Sequence, residues 1–322
     1  MSKLHLIADI GATNARFALV SDTSNELQQQ HTIAAKDYPD LTHALQAYLA
    51  AIGTPRIARA CLAIAGPVHK PVFTLANNHW QVNKVEAEIL LACDILWLND
   101  FAVQAWGVTA LGADQQKVIK SGTGRNDGNR LVIGPGSGLG VAGLVADKGH
   151  WVPVIGEGGH ASFAPGNAQE VAVLQHLQQQ YGHVSVERVA SGSGIPVLYK
   201  ALAELAEQAV RYTDAAQIAE AAKQGDALAE QTLQMFFAIL GQSVASAAVI
   251  MGATGGVYLV GGILPKLLDE LEASEFVERF VQRGRFGTYM DEMPIILSLD
   301  ANLGLKGAAL AVLNEQQGQA GK

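Results

Sequence analysis

Leu6-Ile7-Ala8-Asp9-Ile10-Gly11-Ala12-Thr13-Asn14-Ala15-Arg16-Phe17-Ala18-Leu19-Val20 has a counterpart further along the chain, Leu131-Val132-Ile133-Gly134-Pro135-Gly136-Ser137-Gly138-Leu139-Gly140-Val141-Ala142-Gly143-Leu144-Val145. Laid over one another without a gap, they align Leu6 with Leu131, Gly11 with Gly136, Leu19 with Leu144 and Val20 with Val145. Each is an apolar run, a glycine turn and a second apolar run, which reads as strand, tight turn, strand. Four identities in fifteen positions are weak as sequence similarity. As a repeated supersecondary unit they predict two related α/β domains facing one another.

A glycine-rich turn between strands aims several backbone N–H groups into one concavity, and such nests take phosphate. For either hairpin taken alone, the simpler account is a turn that needs positive φ. Two at equivalent places in a repeat favour the phosphate reading. Thr13 and Ser137 add hydroxyl donors. Asp9 among phosphate-binding amides makes sense only with a cation between, so it is expected to face Mg²⁺ through water.

Outward from the first hairpin, strands are expected at Leu4 to Ala8, Ala15 to Val20 and near His31 to Ala34. Pro39 then falls in the first turn of a helix whose apolar positions are Leu41, Leu45, Tyr48, Leu49 and Ile52. A strand at Ala60 to Ala65 and a helix at Val85 to Leu91 lead to Leu98-Asn99-Asp100-Phe101. There a short apolar strand stops on an amide and a carboxylate, at the strand end where open α/β sheets place ligands. Read alone, one of the two is simply the N-cap of the helix from Phe101 to Leu111. Gly122 to Asn129 is a polar glycine-rich boundary. Beyond it, helices are expected near Gln169 to Tyr181, Ile195 to Gln208, Ala215 to Lys223 and Leu228 to Met251. Strands follow at Val257 to Val260 and Pro294 to Leu299, then a helix from Leu303 to Leu313 with Asn302 as its cap.

The 322 residues suffice for two cores, and 16% charged against 49% apolar residues fits a compact α/β enzyme. A formal net charge of −8 leaves no basic footprint, so nucleic acid is not an expected partner. A phosphorylated ligand must then be held by N–H groups and a metal. Cys61 and Cys93 sit in apolar runs and read as packing in a reducing, cytoplasmic setting. No signal peptide is legible at Met1 to Ile10. Gln231 to Pro265 carries no charge, yet its Gln, Ser and paired glycines predict a core helix buried all round and then a strand. No membrane partner is expected. Gly138 to Gly143 matches G-x-G-x-x-G but continues as strand where a dinucleotide fingerprint must open a helix. No Walker sequence is present.

Gly156-Glu157-Gly158-Gly159-His160 places a carboxylate and an imidazole on an irregular loop, and Glu187 lies in Val184-Ser185-Val186-Glu187-Arg188. Singly, these read as a solvated acid, a core histidine and a first-turn helix acid. Together with Asn99 and Asp100 they make what a polyhydroxy ligand needs, acceptors for adjacent hydroxyls and groups that also donate.

These motifs, with Glu187-Arg188-Val189-Ala190-Ser191-Gly192 and Gly255-Gly256-Val257-Tyr258-Leu259-Val260-Gly261-Gly262, run in order over nearly the whole chain. Together they closely resemble the bacterial ATP-dependent glucokinases of the hexokinase–actin–Hsp70 superfamily, in the branch without a zinc site. The resemblance implies an α/β, two-domain actin-like (ribonuclease H-like) ATPase fold with a ligand cleft between domains. Residues 1–110 plus 300–322 would form the small domain and 111–299 the large one, in a homodimer. It implies transfer of the γ-phosphoryl group of Mg-ATP to the 6-hydroxyl of glucose, with Asp100 as general base. Asn99, Asp100, Glu157, His160 and Glu187 would hold the sugar. Ala8, Asp9, Ile10, Gly11, Ala12, Thr13, Asn14, Gly136, Ser137 and Gly138 would hold the nucleotide, with Gly261 and Gly262 at its adenosine end. Zinc is not expected, because Ser162 to Gly182 lacks the cysteine cluster of zinc-bearing relatives. Where the family usually has two adjacent glycines, this chain has Gly11-Ala12, and the methyl bears on nucleotide affinity. A kinase of another hexose (mannose, fructose or an amino sugar) would share these motifs. A sugar-responsive regulator would need a DNA-binding segment, for which a first strand starting by Leu4 leaves no room.

Overall fold

The computed structural model describes residues 2–66, 68–75, 78–147 and 150–320. Two compact units emerge, Met1–Gly112 together with Asp300–Lys322, and Ala113–Leu299.

In the first unit the strands are β1 (Leu4–Ile10), β2 (Asn14–Ser21), β3 (Ser24–Ala34), β4 (Ile57–Ile64), β5 (Val72–Thr74), β6 (Gln81–Asn83) and β7 (Ile95–Asn99). The helices are α1 (Leu41–Ala51), α2 (Lys84–Leu91), α3 (Asp100–Gly107) and, last in the chain, Leu303–Ala320. The main sheet has the order β3-β2-β1-β4-β7, with β1/β2 and β2/β3 antiparallel and β1/β4 and β4/β7 parallel. Alternation along β1 serves two cores. Leu6, Ala8 and Ile10 pack with Leu41, Leu45, Tyr48 and Trp80 on one face, while Ile7 packs with Val103, Leu305 and Val312 on the other. The last helix crosses α3 so closely that a side chain at Gly307 would strike the Val103 carbonyl.

The small β5–β6 hairpin has no counterpart in the sequence reading. It holds Trp80 in the core, with the indole N–H shared between the Ala35 and Tyr38 carbonyls at 3.0 and 2.9 Å. Pro39 does not enter α1. It precedes Asp40, whose carboxylate caps the helix by accepting the His43 N–H. Cys61 is buried, and burial first, then Asp94, pushes the Cys93 thiol up to about 11, so Cys93 is not a reactive thiolate.

In the second unit the strands are β8 (Gln116–Lys120), β9 (Arg130–Pro135), β10 (Leu139–Asp147), β11 (His150–Gly156), β12 (Gly256–Leu259) and β13 (Ile295–Ser298). Its helices are α4 (Ala168–Tyr181), α5 (Gly194–Leu205), α6 (Ala215–Lys223), α7 (Ala227–Met251) and the short α8 (Leu268–Glu272), α9 (Phe276–Val281) and α10 (Gly287–Asp291). The sheet order is β11-β10-β9-β12-β13-β8. Its first five strands repeat the order and the parallel and antiparallel pairing of the first unit's sheet. The repeat read from the two hairpins is therefore a repeat of whole sheets.

The gapless overlay fails in one detail. Ile10 pairs with Ala15, whereas Pro135 pairs with Leu139, so the second turn is one residue shorter. α7 is buried on all sides from Met235 to Gly241, but Val249 and Ile250 near its end are exposed, so the expected all-round burial covers only part of it. Every helix of eight or more residues through α7, except α5, starts on an Asn or Asp side chain that takes a first-turn N–H.

Candidate active site

At the C-terminal edge of the first sheet, Ile10, Ile64 and Asn99 lie in register across β1, β4 and β7. The Gly11–Thr13 turn and the Asn99-Asp100 pair are therefore two strand spacings apart, roughly 10 Å. The turn closes by the Gly11 N–H donating to the Asn14 carbonyl at 3.0 Å, and the Thr13 carbonyl accepts from Ala35. Among the described residues, the N–H groups of Ala12 and Thr13 have no partner within the chain, so they are available to an oxyanion. Ala8 and Ile10 contribute differently. Their side chains are buried and their main chain is paired on both sides in a central strand that leads into the turn. Ala12 is at negative φ, and its methyl is accommodated without backbone strain.

Asp9 sits beneath this turn, its carboxylate 3.5 Å from the Arg16 guanidinium. Burial pushes its carboxyl up, and Arg16 offsets part of that shift. The last helix passes so close that a Cβ at Gly304 would lie 2.5 Å from Asp9 Oδ2. Among the described residues no group of three or more His, Cys, Asp or Glu side chains gathers to hold a metal. A single carboxylate still fits Mg²⁺, which keeps several waters and takes the rest of its ligands from phosphates.

Asn99 and Asp100 both turn oxygens to the Phe101 N–H, at 2.9 and 3.0 Å. The cap reading is thus correct for Asn99, whose NH₂ group stays a donor for a ligand. Asp100 is the first residue of α3, where the helix dipole favours a carboxylate.

The second unit gathers its candidates at the corresponding edge of its own sheet. In the turn after β9, the Gly136 N–H donates to the Gly138 carbonyl at 2.8 Å. Among the described residues the Ser137 and Gly138 N–H groups have no partner in the chain. None of Gly11, Gly136 and Gly138 has positive φ, so the simple turn account does not explain these glycines. At Gly138 the reason is space, since a Cβ there would strike the Glu187 carboxylate. Glu187 Oε2 accepts the Leu139 N–H at 2.7 Å, and the Glu187 N–H donates to the Gly159 carbonyl at 2.9 Å. Glu187 is not a helix acid, because the chain turns irregularly here until α5 begins at Gly194.

Glu157 follows β11 directly, and His160 ends the 3₁₀ turn Gly158–His160. Both side chains are exposed, which sets aside the core-histidine reading. Gly261, at φ +92°, and Gly262 follow β12 on the same edge, with Gly261 against the Pro135 carbonyl.

Several contributors were not singled out from the sequence. The Gly192 N–H donates to the Gly136 carbonyl at 2.8 Å, and the Ser193 hydroxyl donates to the Ser137 carbonyl at 2.8 Å. Ser193 occupies the N-cap of α5 without capping it, its hydroxyl being drawn to the turn instead. Gly192 and Arg16 belong to motifs already quoted. Nothing in the sequence marks Gly304.

The sequence profile of the glucokinase family matches residues 6–315. The chain belongs to the glucokinase family. A glucokinase of Chromohalobacter salexigens is 42% identical over 98% of this chain and 99% of its own length. One of Hahella chejuensis is 39% identical over 97% of each chain. The crystal structure of a glucokinase from an Antarctic psychrotroph superposes with a TM-score of 0.86 at 36% identity, covering 97% of this chain and 99% of that one. The actin-like α/β architecture expected from the resemblance is the one this family member has.

Proposed function

We propose that this chain transfers the γ-phosphoryl group of ATP to the 6-hydroxyl of glucose, giving glucose 6-phosphate and ADP. The observation that carries the reading is the placement of Asp100. A carboxylate at the first position of α3 stands on the same sheet edge as a turn with two N–H groups that have no partner among the described residues. Phosphoryl transfer asks for alignment and charge neutralisation more than for covalent chemistry. Asp100 accepts the proton of the attacking hydroxyl. Asn99 donates through its NH₂ group, while Glu157, His160 and the remaining oxygen of Glu187 hold the other sugar hydroxyls. The N–H groups of Ala12, Thr13, Ser137 and Gly138 bind phosphate oxygens, and Gly261 and Gly262 border the adenosine. Asp9 would hold Mg²⁺ through water, and the metal would supply charge neutralisation on the phosphates.

A coupled assay of ATP-dependent phosphorylation across glucose, mannose, fructose and glucosamine tests the reading. Glucose is expected to be the preferred sugar, and Asp100→Asn is expected to lower kcat by roughly 10² to 10⁴ with little change in KM. Undiminished turnover by Asp100→Asn, or preference for another hexose, overturns it. The same reading carries a cytoplasmic location and a homodimer, and light scattering on the purified chain checks the dimer.

A further inference from the structure

Glu187 is held at two points that serve different ligands in the proposed reaction. Through Oε2 it takes the N–H of Leu139, the residue that directly follows the Gly136–Gly138 turn. Through its main-chain N–H it is tied to Gly159, between Glu157 and His160 in sequence. A few residues later Gly192 and Ser193 donate to the Gly136 and Ser137 carbonyls. One irregular segment, Glu187 to Ser193, is therefore pinned to the sugar-side loop at one end and to the phosphate turn at both. A methyl on Gly138 would meet Glu187 Oε2 at 2.4 Å, so the carboxylate would have to move aside.

An ionised carboxylate accepts hydrogen bonds through both oxygens and donates none. With Oε2 engaged in a charge-assisted bond to a backbone N–H, Oε1 is the atom left for a sugar hydroxyl. We propose that Glu187 is a positioning residue that couples the two substrates: Oε1 addresses the sugar while Oε2 holds the phosphate turn in its receptive shape. A sugar that fixes the carboxylate rotamer fixes the turn, and nucleotide then binds to a turn already formed. Reciprocity requires that nucleotide tighten sugar by the same factor. The inference rests on the reading of this site as one for glucose and ATP.

Isothermal titration of the full chain with glucose alone, with the Mg²⁺ complex of a non-hydrolysable ATP analogue alone, and with both tests it. In wild type, saturating glucose is expected to tighten the analogue by about fivefold or more. Glu187→Ala is expected to weaken the analogue about tenfold with no sugar present, because the Leu139 N–H loses its acceptor. Glu187→Gln keeps a carbonyl oxygen for Leu139, so it should bind the analogue as wild type does while losing glucose affinity. Gly138→Ala displaces the carboxylate and should weaken glucose with no nucleotide present. Wild-type analogue affinity in Glu187→Ala, or an equal loss in Glu187→Gln and Glu187→Ala, overturns the inference. If Glu187→Ala does not fold, Gly138→Ala decides, and unchanged glucose affinity there refutes the coupling. A wild-type chain that binds no glucose would instead refute the functional reading itself.

Discussion

Glu170→Ala should be among the most damaging single substitutions outside the site. Glu170 is buried in the first turn of α4, and its carboxylate receives Arg279 of α9 through two hydrogen bonds of 2.8 and 3.0 Å. It also accepts the Gly166 N–H at 2.6 Å and the Asn167 side-chain amide at 2.9 Å, while Arg279 reaches Gln242 of α7. Three helices, α4, α7 and α9, and the residues that lead into α4 thus share one ionic centre. Removing the carboxylate leaves a buried guanidinium whose remaining side-chain hydrogen bond, among the described residues, is to Gln242, at a cost of about 3–5 kcal/mol. For a unit of this size each kcal/mol is worth about 2–4 °C, so the melting temperature should fall by roughly 6–20 °C. Thermal unfolding followed by circular dichroism reads the shift. Glu170→Leu combined with Arg279→Met removes both charges and should be more stable than Glu170→Ala alone. Ala164 and Gly166 hang on the same network shortly after His160, so KM for glucose should rise as well. A shift below about 2 °C, well under the predicted range, or a double variant less stable than the single, would refute the reasoning.

Asp9 carries an opposed demand. Its carboxyl is raised by burial in the folded chain, so between its ordinary value and the raised one the folded chain holds a proton that the unfolded chain has released. Stability therefore falls as pH rises through that window. Asp9→Asn, melted without Mg²⁺ or nucleotide, should be at least as stable as wild type at neutral pH, with the difference vanishing in acid, while its Mg-ATP turnover is lost. A variant several degrees less stable than wild type at pH 7 would contradict this. Gly304→Ala pushes a methyl against the same carboxylate and should lower kcat/KM for Mg-ATP by roughly tenfold to a hundredfold, with KM for glucose preserved. Unchanged Mg-ATP kinetics would remove Asp9 from the machinery. Chelation of Mg²⁺ should abolish turnover and leave the melting temperature of the ligand-free chain unaltered.

Local chemistry decided what could be read without coordinates. Apolar spacing places α1, and the cap at Asn99 marks where α3 begins, because both depend on neighbours within a turn or two of the chain. The glycine turns and the loops carrying Asn99, Asp100, Glu157 and His160 are local for the same reason. Distance in sequence hid the rest. The length of the Gly136–Gly138 turn is fixed by strand register, which a comparison of hairpins misses by one residue. The β5–β6 hairpin and the short helices α8 to α10 are too brief for periodicity to show. Glu187 meets Leu139, Asp9 meets Gly304, and Ser193 leaves its helix cap for Ser137 only because folding brings remote segments together. The sequence by itself determined which side chains are chemically able to serve phosphate and sugar. The tertiary structure decided which oxygen of each is already spoken for, since hydrogen-bond partners are assigned by proximity in space and a composition or a spacing carries no record of it.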